Sequence, residues 1–149
     1  VGGGELAMTC TAAILDPDAG EIRFVSCGHP APYLCRTSER GFELQALVGR
    51  GNPLGTGHAA ARVQRRALQA GDLFVWYTDG VVDAKDPAGT AFGDRRLQHL
   101  LKKLDRQRLT PSMVHDLVLR GIAAHRAGRS LADDETLVVA QLAAREAAP

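Results

Sequence analysis

The sequence lacks several features that would place it quickly. No apolar run approaches the ~20 residues that a membrane-crossing helix requires, and no internal repeat is visible. The start, Val1 followed by three glycines, has neither an initiator methionine nor the charged and then apolar pattern of a secretory signal, so the chain reads as a piece of something longer. Only three cysteines occur, Cys10, Cys27 and Cys35. An odd count without C-x-x-C spacing argues against a disulfide framework and against a zinc site, and makes a reduced, cytoplasmic setting the expectation. The formal net charge is only +1, which gives no electrostatic case for nucleic acid or an anionic membrane as partner.

What is present fits one domain with a real core, since 149 residues are too few for two comfortable ones. Residues 8–15 read as a strand, 16–20 as a turn rich in Asp, Pro and Gly, and 21–27 as the returning strand of a hairpin. Gly28, His29 and Pro30 break that strand. A short strand resumes over 31–36, where Pro30 and Pro32 favour a sheet edge or an extended lead-in. Residues 42–47 alternate apolar and polar with period two, as a half-buried strand does. The loop 49–57 is dense in glycine and could bring backbone N–H groups close to a ligand, but its spacing matches neither a P-loop nor a dinucleotide fingerprint. Residues 60–68 are expected to form another strand.

The apolar run over 73–77 ends abruptly on Thr78, Asp79 and Gly80, the pattern of a buried strand that delivers one carboxylate to its C-terminal end and exposes it in a tight turn. A polar excursion over 83–93 follows. Leu97, Leu100, Leu101 and Leu104 then fall at i, i+3, i+4 and i+7, so a helix buries that stripe and leaves Arg95, Arg96, Lys102 and Lys103 wet, with Asp94 near its start. Thr110 and Pro111 are an N-cap and a first helical residue for a second helix that buries Val114, Leu117, Val118 and Ile122 and stops at Gly128. A final strand over 136–142 is preceded by Asp133 and Asp134, and residues 143–149 read as a frayed tail. Strands, two helices and a last strand give an α+β fold with a largely antiparallel sheet.

The chemistry concentrates in the acids at strand ends. If the strands over 73–77 and 136–142 lie side by side, Asp79 and Asp133 reach one rim, where oxygen ligands hold hard divalent cations. Taken singly, an Asp-Gly after a strand is usually a turn, and an Asp pair before one is usually a solvated cap. A strand ending in Asp-Gly also resembles the haloacid-dehalogenase phosphatases, but Tyr77 stands where those need their nucleophilic Asp. Among the histidines, His99 and His115 belong on or beside exposed helix faces, and His125 near a helix end, where a cation suits the dipole. His58 has no assigned role.

Four motifs in order, Gly28-His29-Pro30, Gly51 to Gly55, Thr78-Asp79-Gly80 and Asp133-Asp134-Glu135-Thr136, resemble the C-terminal part of the metal-dependent PP2C-like (PPM) phosphatases, in the SpoIIE/RsbU-type branch. The resemblance runs from about Met8 to Leu142. It implies an α-β-β-α fold, an antiparallel β-sandwich flanked by helices and here incomplete at the N-terminus, so that residues 1–149 form the C-terminal portion of one domain. It also implies a binuclear Mn²⁺ or Mg²⁺ site at which a bridging water or hydroxide attacks phosphoserine or phosphothreonine. Asp79 and Asp133 match metal ligands. Asp134 stands where many relatives carry Asn and is read as supporting the ligands, Thr136 and Gly80 as shaping the turn, and His29 more as a structural histidine than a chemical one. The family also uses an upstream Asp-containing Gly-His-Gly segment, which nothing before Met8 supplies.

By the same resemblance the substrate is a phosphorylated regulator, a STAS-domain antagonist of an anti-sigma factor. The parent chain carries an upstream sensory domain, and a homodimer is compatible with it. The competing expectation is a phosphatase-like binding or scaffold module without catalysis. Residues 83–93, just after Asp79, are the expected mobile substrate-recognition element.

Overall fold

In the computed structural model the described residues are 6–39, 41–56, 61–104, 109–130 and 133–143. Among the described residues two antiparallel sheets and three helices make a mixed α+β fold, and the chain divides into two compact units, residues 1–31 with 46–69 and residues 32–45 with 70–149. Among the described residues no helix is long and apolar enough to cross a membrane. His58 and most of the 143–149 tail lie outside the described residues.

The first unit holds a three-stranded sheet in the order β1 (Cys10–Asp16), β2 (Glu21–Cys27), β5 (Gln64–Ala67). The expected hairpin is there, with Cys10 opposite Cys27 and Asp16 opposite Glu21. Alternation in β2 buries Ile22, Phe24 and Ser26 and leaves the residues between them half-exposed, as period two requires. β5 is shorter than the sequence implies, because residues 61–63 make no ladder bonds. The glycine-dense loop lies against its own unit. A Cβ at Gly49 or Gly51 would collide with the backbone of Ser26, so close packing accounts for glycine there without a phosphate.

The second unit holds a four-stranded sheet in the order β4 (Gly41–Ala46), β3 (Tyr33–Ser38), β6 (Leu73–Tyr77), β7 (Leu137–Gln141). β3 is interior. Pro30 and Pro32 precede its first bonded residue, so they act as an extended lead-in and the alternative of an edge strand is excluded. α1 (Asp79–Asp83) is a single helical turn directly after β6, where the sequence suggests only a turn. α2 (Asp94–Lys102) buries Leu97 and Leu101, with Leu104 just beyond its end. α3 (Pro111–Arg126) begins as expected, with the Thr110 hydroxyl accepting from Met113 N at 3.3 Å, and buries Val114, Val118 and Ile122. Its left-handed closing residue is Ala127, one position before Gly128.

Two polar clusters lock this unit. Tyr33 and Tyr77, from neighbouring strands, stack with ring centroids 6.0 Å apart. Both hydroxyls donate to Asp94 Oδ1, at 2.6 and 3.0 Å, while Gln98 donates to Oδ2 at 2.7 Å. The first residue of α2 is thereby tied to two strands. Burial, followed by the hydrogen bond to Asp94 and its negative charge, pushes the Tyr33 hydroxyl up to about 12. At the other end of β6, Asp72 is 1% exposed and receives Arg36 in a two-point bond, Nε to Oδ1 at 2.7 Å and Nη2 to Oδ2 at 2.6 Å.

Both clusters can be tested by unfolding. Asp72→Ala removes the two-point partner of the mostly buried Arg36 guanidinium and is expected to cost about 3 kcal/mol in urea unfolding, most of which returns in an Arg36→Met/Asp72→Leu double variant. An ordinary tyrosine in the unfolded chain ionises near pH 10, whereas Tyr33 in the folded chain keeps its proton to about pH 12. Over that interval the folded state binds more protons than the unfolded one. Its stability should therefore fall as pH rises, and fall less steeply in Tyr33→Phe; the urea midpoints of the two proteins at pH 9 and pH 11.5 measure the difference.

Candidate functional site

β6 and β7 are antiparallel neighbours with Tyr77 opposite Leu137. The residues that leave the C-terminal end of β6 therefore meet those that lead into β7. Thr78 is the physical link between them. Its N–H donates to Thr136 O at 3.0 Å, its hydroxyl accepts from Thr136 N at 3.0 Å, and the same hydroxyl donates to Asp134 O at 3.3 Å. Thr78 holds the N-cap position of α1 yet makes no side-chain cap there, because its oxygen is engaged across the strand ends. Gly80 completes the seam, since a Cβ at that position would land on the carbonyl oxygen of Asp134.

The seam leaves two carboxylates outside. Asp79 is exposed, and its Oδ1 accepts from Gly80 N at 3.1 Å. Asp133 is exposed as well, and its Oδ1 accepts from Asp134 N at 2.8 Å. In each case one oxygen is fixed by a local N–H, the other is open, and no ion pair among the described residues neutralises the group. Such donors suit a hard divalent cation. No group of three or more His, Cys, Asp or Glu side chains is close enough to cage a metal among the described residues, so these two acids could provide part of a coordination shell.

The other residues singled out in the sequence fall into place differently. Thr136 contributes its backbone to the seam, and Asp134 its carbonyl, while the Asp134 side chain is exposed. His29 belongs to the first unit, where its Nδ1 lies 3.0 Å from Thr9 Oγ1 and its carbonyl accepts from the Ser26 hydroxyl at 3.1 Å. Those bonds make it part of the hairpin's end. The three cysteines are free, and burial pushes the Cys35 thiol up to about 12, far from a reactive thiolate.

A cleft of about 420 Å³ opens beside this rim, lined among others by Gly80, Asp83, Lys85, Arg126, Arg129 and Asp133. One of its walls is the segment after α1, which is more firmly built than a loose excursion. Lys85 and Ala91 form a β-bridge, the Asp86 carboxylate accepts from Thr90 N at 2.8 Å, and Phe92 N donates to Ala84 O at 2.7 Å. The end of α3 clamps it. His125 Nε2 bonds Thr90 O at 3.0 Å, with its ring edge-on to Phe92, and Arg129 donates to Asp86 O at 3.0 Å. His125 thus has a tertiary partner in addition to its place near the helix end. Neither Thr78 as a bridge nor the cations of the cleft can be found from local sequence patterns, although Thr78 sits inside the Asp-Gly motif.

This fold is that of the PP2C-type phosphatase domain. The phosphatase domain of the cell fate determinant SpoIIE from Bacillus subtilis, in its Mn-presoaked form, superposes with a TM-score of 0.68 at 18% identity, covering 94% of this chain and 59% of that one. The SiaA-PP2C domain of Pseudomonas aeruginosa superposes with a TM-score of 0.73 at 24% identity, covering 89% and 51%. The chain belongs to the SpoIIE family, whose model, Stage II sporulation protein E (SpoIIE), matches residues 2–143. It is also similar to Protein IcfG of Synechocystis sp. (strain ATCC 27184 / PCC 6803 / Kazusa), 22% identical over 138 residues, and there it spans 91% of its own length and 21% of the relative's.

The seam is expected to be sensitive to small changes. Thr78→Val leaves Thr136 N without its acceptor and should cost ~1 kcal/mol. Gly80→Ala should cost more, because the strand ends must part to admit the methyl group. Thermal unfolding of the two variants against wild type checks the order.

Proposed function

We propose that this chain contributes the substrate-facing part of a metal-dependent protein serine/threonine phosphatase. One observation carries the reading: Asp79 and Asp133, 54 residues apart in sequence, stand exposed and without a neutralising cation at the joined ends of two paired strands. Membership of the SpoIIE family and the PP2C fold support it. The chain covers little more than half the length of the phosphatase domains it superposes on, so the remaining coordination positions would be taken by water and by groups elsewhere in such a domain.

Asp79 and Asp133 would hold Mn²⁺ or Mg²⁺, two ions in the complete centre. Bound there, the metal supplies Lewis-acid activation of water and of the phosphoryl oxygens. The chain's own residues position and orient. Thr78 and Gly80 keep the two carboxylates at one edge, and the backbone N–H groups of Gly80 and Asp134 each occupy one carboxylate oxygen, so the open oxygens have a fixed aim. Asp134 and Thr136 shape the backbone between them and are assigned no ligand role. The substrate we favour is a phosphorylated regulatory protein with a STAS-type fold, in keeping with the family.

The second reading, a phosphatase-like module that binds without hydrolysis, draws on the absence of a three-ligand cluster among the described residues. Mn²⁺-dependent release of phosphate from a phosphoserine peptide separates the two. In a phosphatase domain containing this chain, Asp79→Asn should lower kcat by about 100-fold or more, which corresponds to several kcal/mol of lost stabilisation. It should also weaken Mn²⁺ binding measured by calorimetry. Equal activity and equal Mn²⁺ affinity in the two proteins would overturn the assignment of Asp79 as a ligand, and no Mn²⁺-dependent release of phosphate by either would overturn the phosphatase reading.

A further inference from the structure

The cleft beside Asp133 carries charge that the metal site does not use. Its lining includes three acids, Asp83, Asp133 and Glu135, and three bases, Lys85, Arg126 and Arg129. These are not equivalent. Arg126 Nη1 lies 3.4 Å from Glu135 Oε1, with both side chains largely covered, so that pair is internally balanced. Lys85 and Arg129 are exposed, and among the described residues no carboxylate lies within ion-pair distance of either. Arg129 does donate one bond, to the carbonyl of Asp86, which fixes the guanidinium and leaves its charge uncompensated. Asp133 would be balanced by metal, whereas Lys85 and Arg129 share the lining with Asp83 but have no carboxylate within ion-pair distance among the described residues.

The backbone that carries Lys85 and the Arg129 guanidinium are also held in place before any ligand arrives. Lys85 sits on the bridge to Ala91, Phe92 N closes the turn onto Ala84, and His125 and Arg129 fasten that turn to the end of α3. A charged pair on a braced wall discriminates between ligands better than one on a free loop, because little ordering is needed on binding.

We propose that this cleft receives an acidic side chain of the phosphoprotein substrate close to the phosphorylated residue, and that Lys85 and Arg129 select for it. The inference rests on the phosphatase reading for the location of the phosphoester, at the Asp79–Asp133 rim. A polypeptide with its phosphoresidue there would run along the cleft, and a volume of about 420 Å³ accommodates a carboxylate side chain with its backbone. Lys85 and Arg129 are specificity-determining residues in this scheme and take no part in bond breaking. The 83–93 segment, expected as a mobile recognition element, would serve as recognition surface by virtue of being braced.

The test compares two labelled phosphoserine peptides, one with glutamates beside the phosphoresidue and one with alanines, using fluorescence anisotropy without added metal and steady-state hydrolysis with Mn²⁺. p-Nitrophenyl phosphate serves as a substrate without flanks. Wild type should prefer the glutamate peptide, with a preference that shrinks as salt is raised. Lys85→Gln and Arg129→Gln should each lower that preference about three- to fivefold, as a KM effect, with p-nitrophenyl phosphate turnover unchanged. Lys85→Gln leaves the bonds between the turn and α3 intact, so its effect is free of any loosening that Arg129→Gln introduces. The Lys85→Glu/Arg129→Glu variant should reverse the preference toward a lysine-flanked peptide.

Equal binding of the two flanked peptides by wild type would overturn the proposal, as would an equal loss on p-nitrophenyl phosphate, which would place the cations on the phosphoryl group itself. Failure of the phosphatase reading has a different signature: no Mn²⁺-dependent hydrolysis of any substrate while the glutamate preference in binding persists.

Discussion

The pairing of β6 with β7, closed by Thr78, is the interaction on which the candidate site depends. Strand pairing alone brings the chain around Tyr77 beside the chain around Leu137, but ladder bonds stop there. Beyond that point the two segments would diverge unless something held them. Thr78 contributes three hydrogen bonds to the opposite segment, and Gly80 allows that segment to approach to contact. The position of both acids follows from this seam, because each side chain is only one residue or a few residues away from it.

Asp72 and Asp79 flank the same strand and show how environment assigns the role of a carboxylate. Asp72, just before β6, is buried and held bidentately by Arg36, so its charge is already committed to the fold. Asp79, just after β6, is exposed and keeps one oxygen open. Burying an ion pair contributes little net stability, but it fixes geometry, since any rearrangement would leave a charge unpaired in a poor solvent. The Arg36–Asp72 pair and the Tyr33–Tyr77–Asp94 cluster fix β3, β6 and the start of α2 in this way. Asp79 thus extends from a strand that is pinned at both ends.

Much of the architecture was legible from periodicity. The hairpin of β1 and β2, the half-buried β4, the Leu97–Leu101 stripe and the Thr110-Pro111 start of α3 each rest on local patterns that the tertiary structure leaves standing. Asp79 and Asp133 could be singled out because acids at the ends of apolar runs are conspicuous. α1 could not be foreseen, since a five-residue helix has too few positions to show a period. The place of β3 inside its sheet could not either, because proline marks where ladder bonding is forbidden and does not say which strands will flank the residues that follow. Asp94 looked like an ordinary first-turn acid. Its bond to Tyr33 spans 61 residues, and no local pattern encodes it.

The same limit applies to charge. A net charge of +1 discourages a nucleic-acid reading, yet it conceals how the individual charges are matched. Arg36 is matched to Asp72, Arg65 to Glu21 and Arg126 to Glu135, each across a distance that only the fold defines. What remains after those matches are made is more informative than the total. Among the described residues lining the 420 Å³ cleft it leaves Asp83 and Asp133 without a cation, and Lys85 and Arg129 without a carboxylate, at ion-pair distance. A ligand of the opposite arrangement, positive against Asp133 and negative against Lys85 and Arg129, would complement them. A divalent cation together with an acidic stretch of phosphoprotein has that arrangement, and neither component alone satisfies both ends.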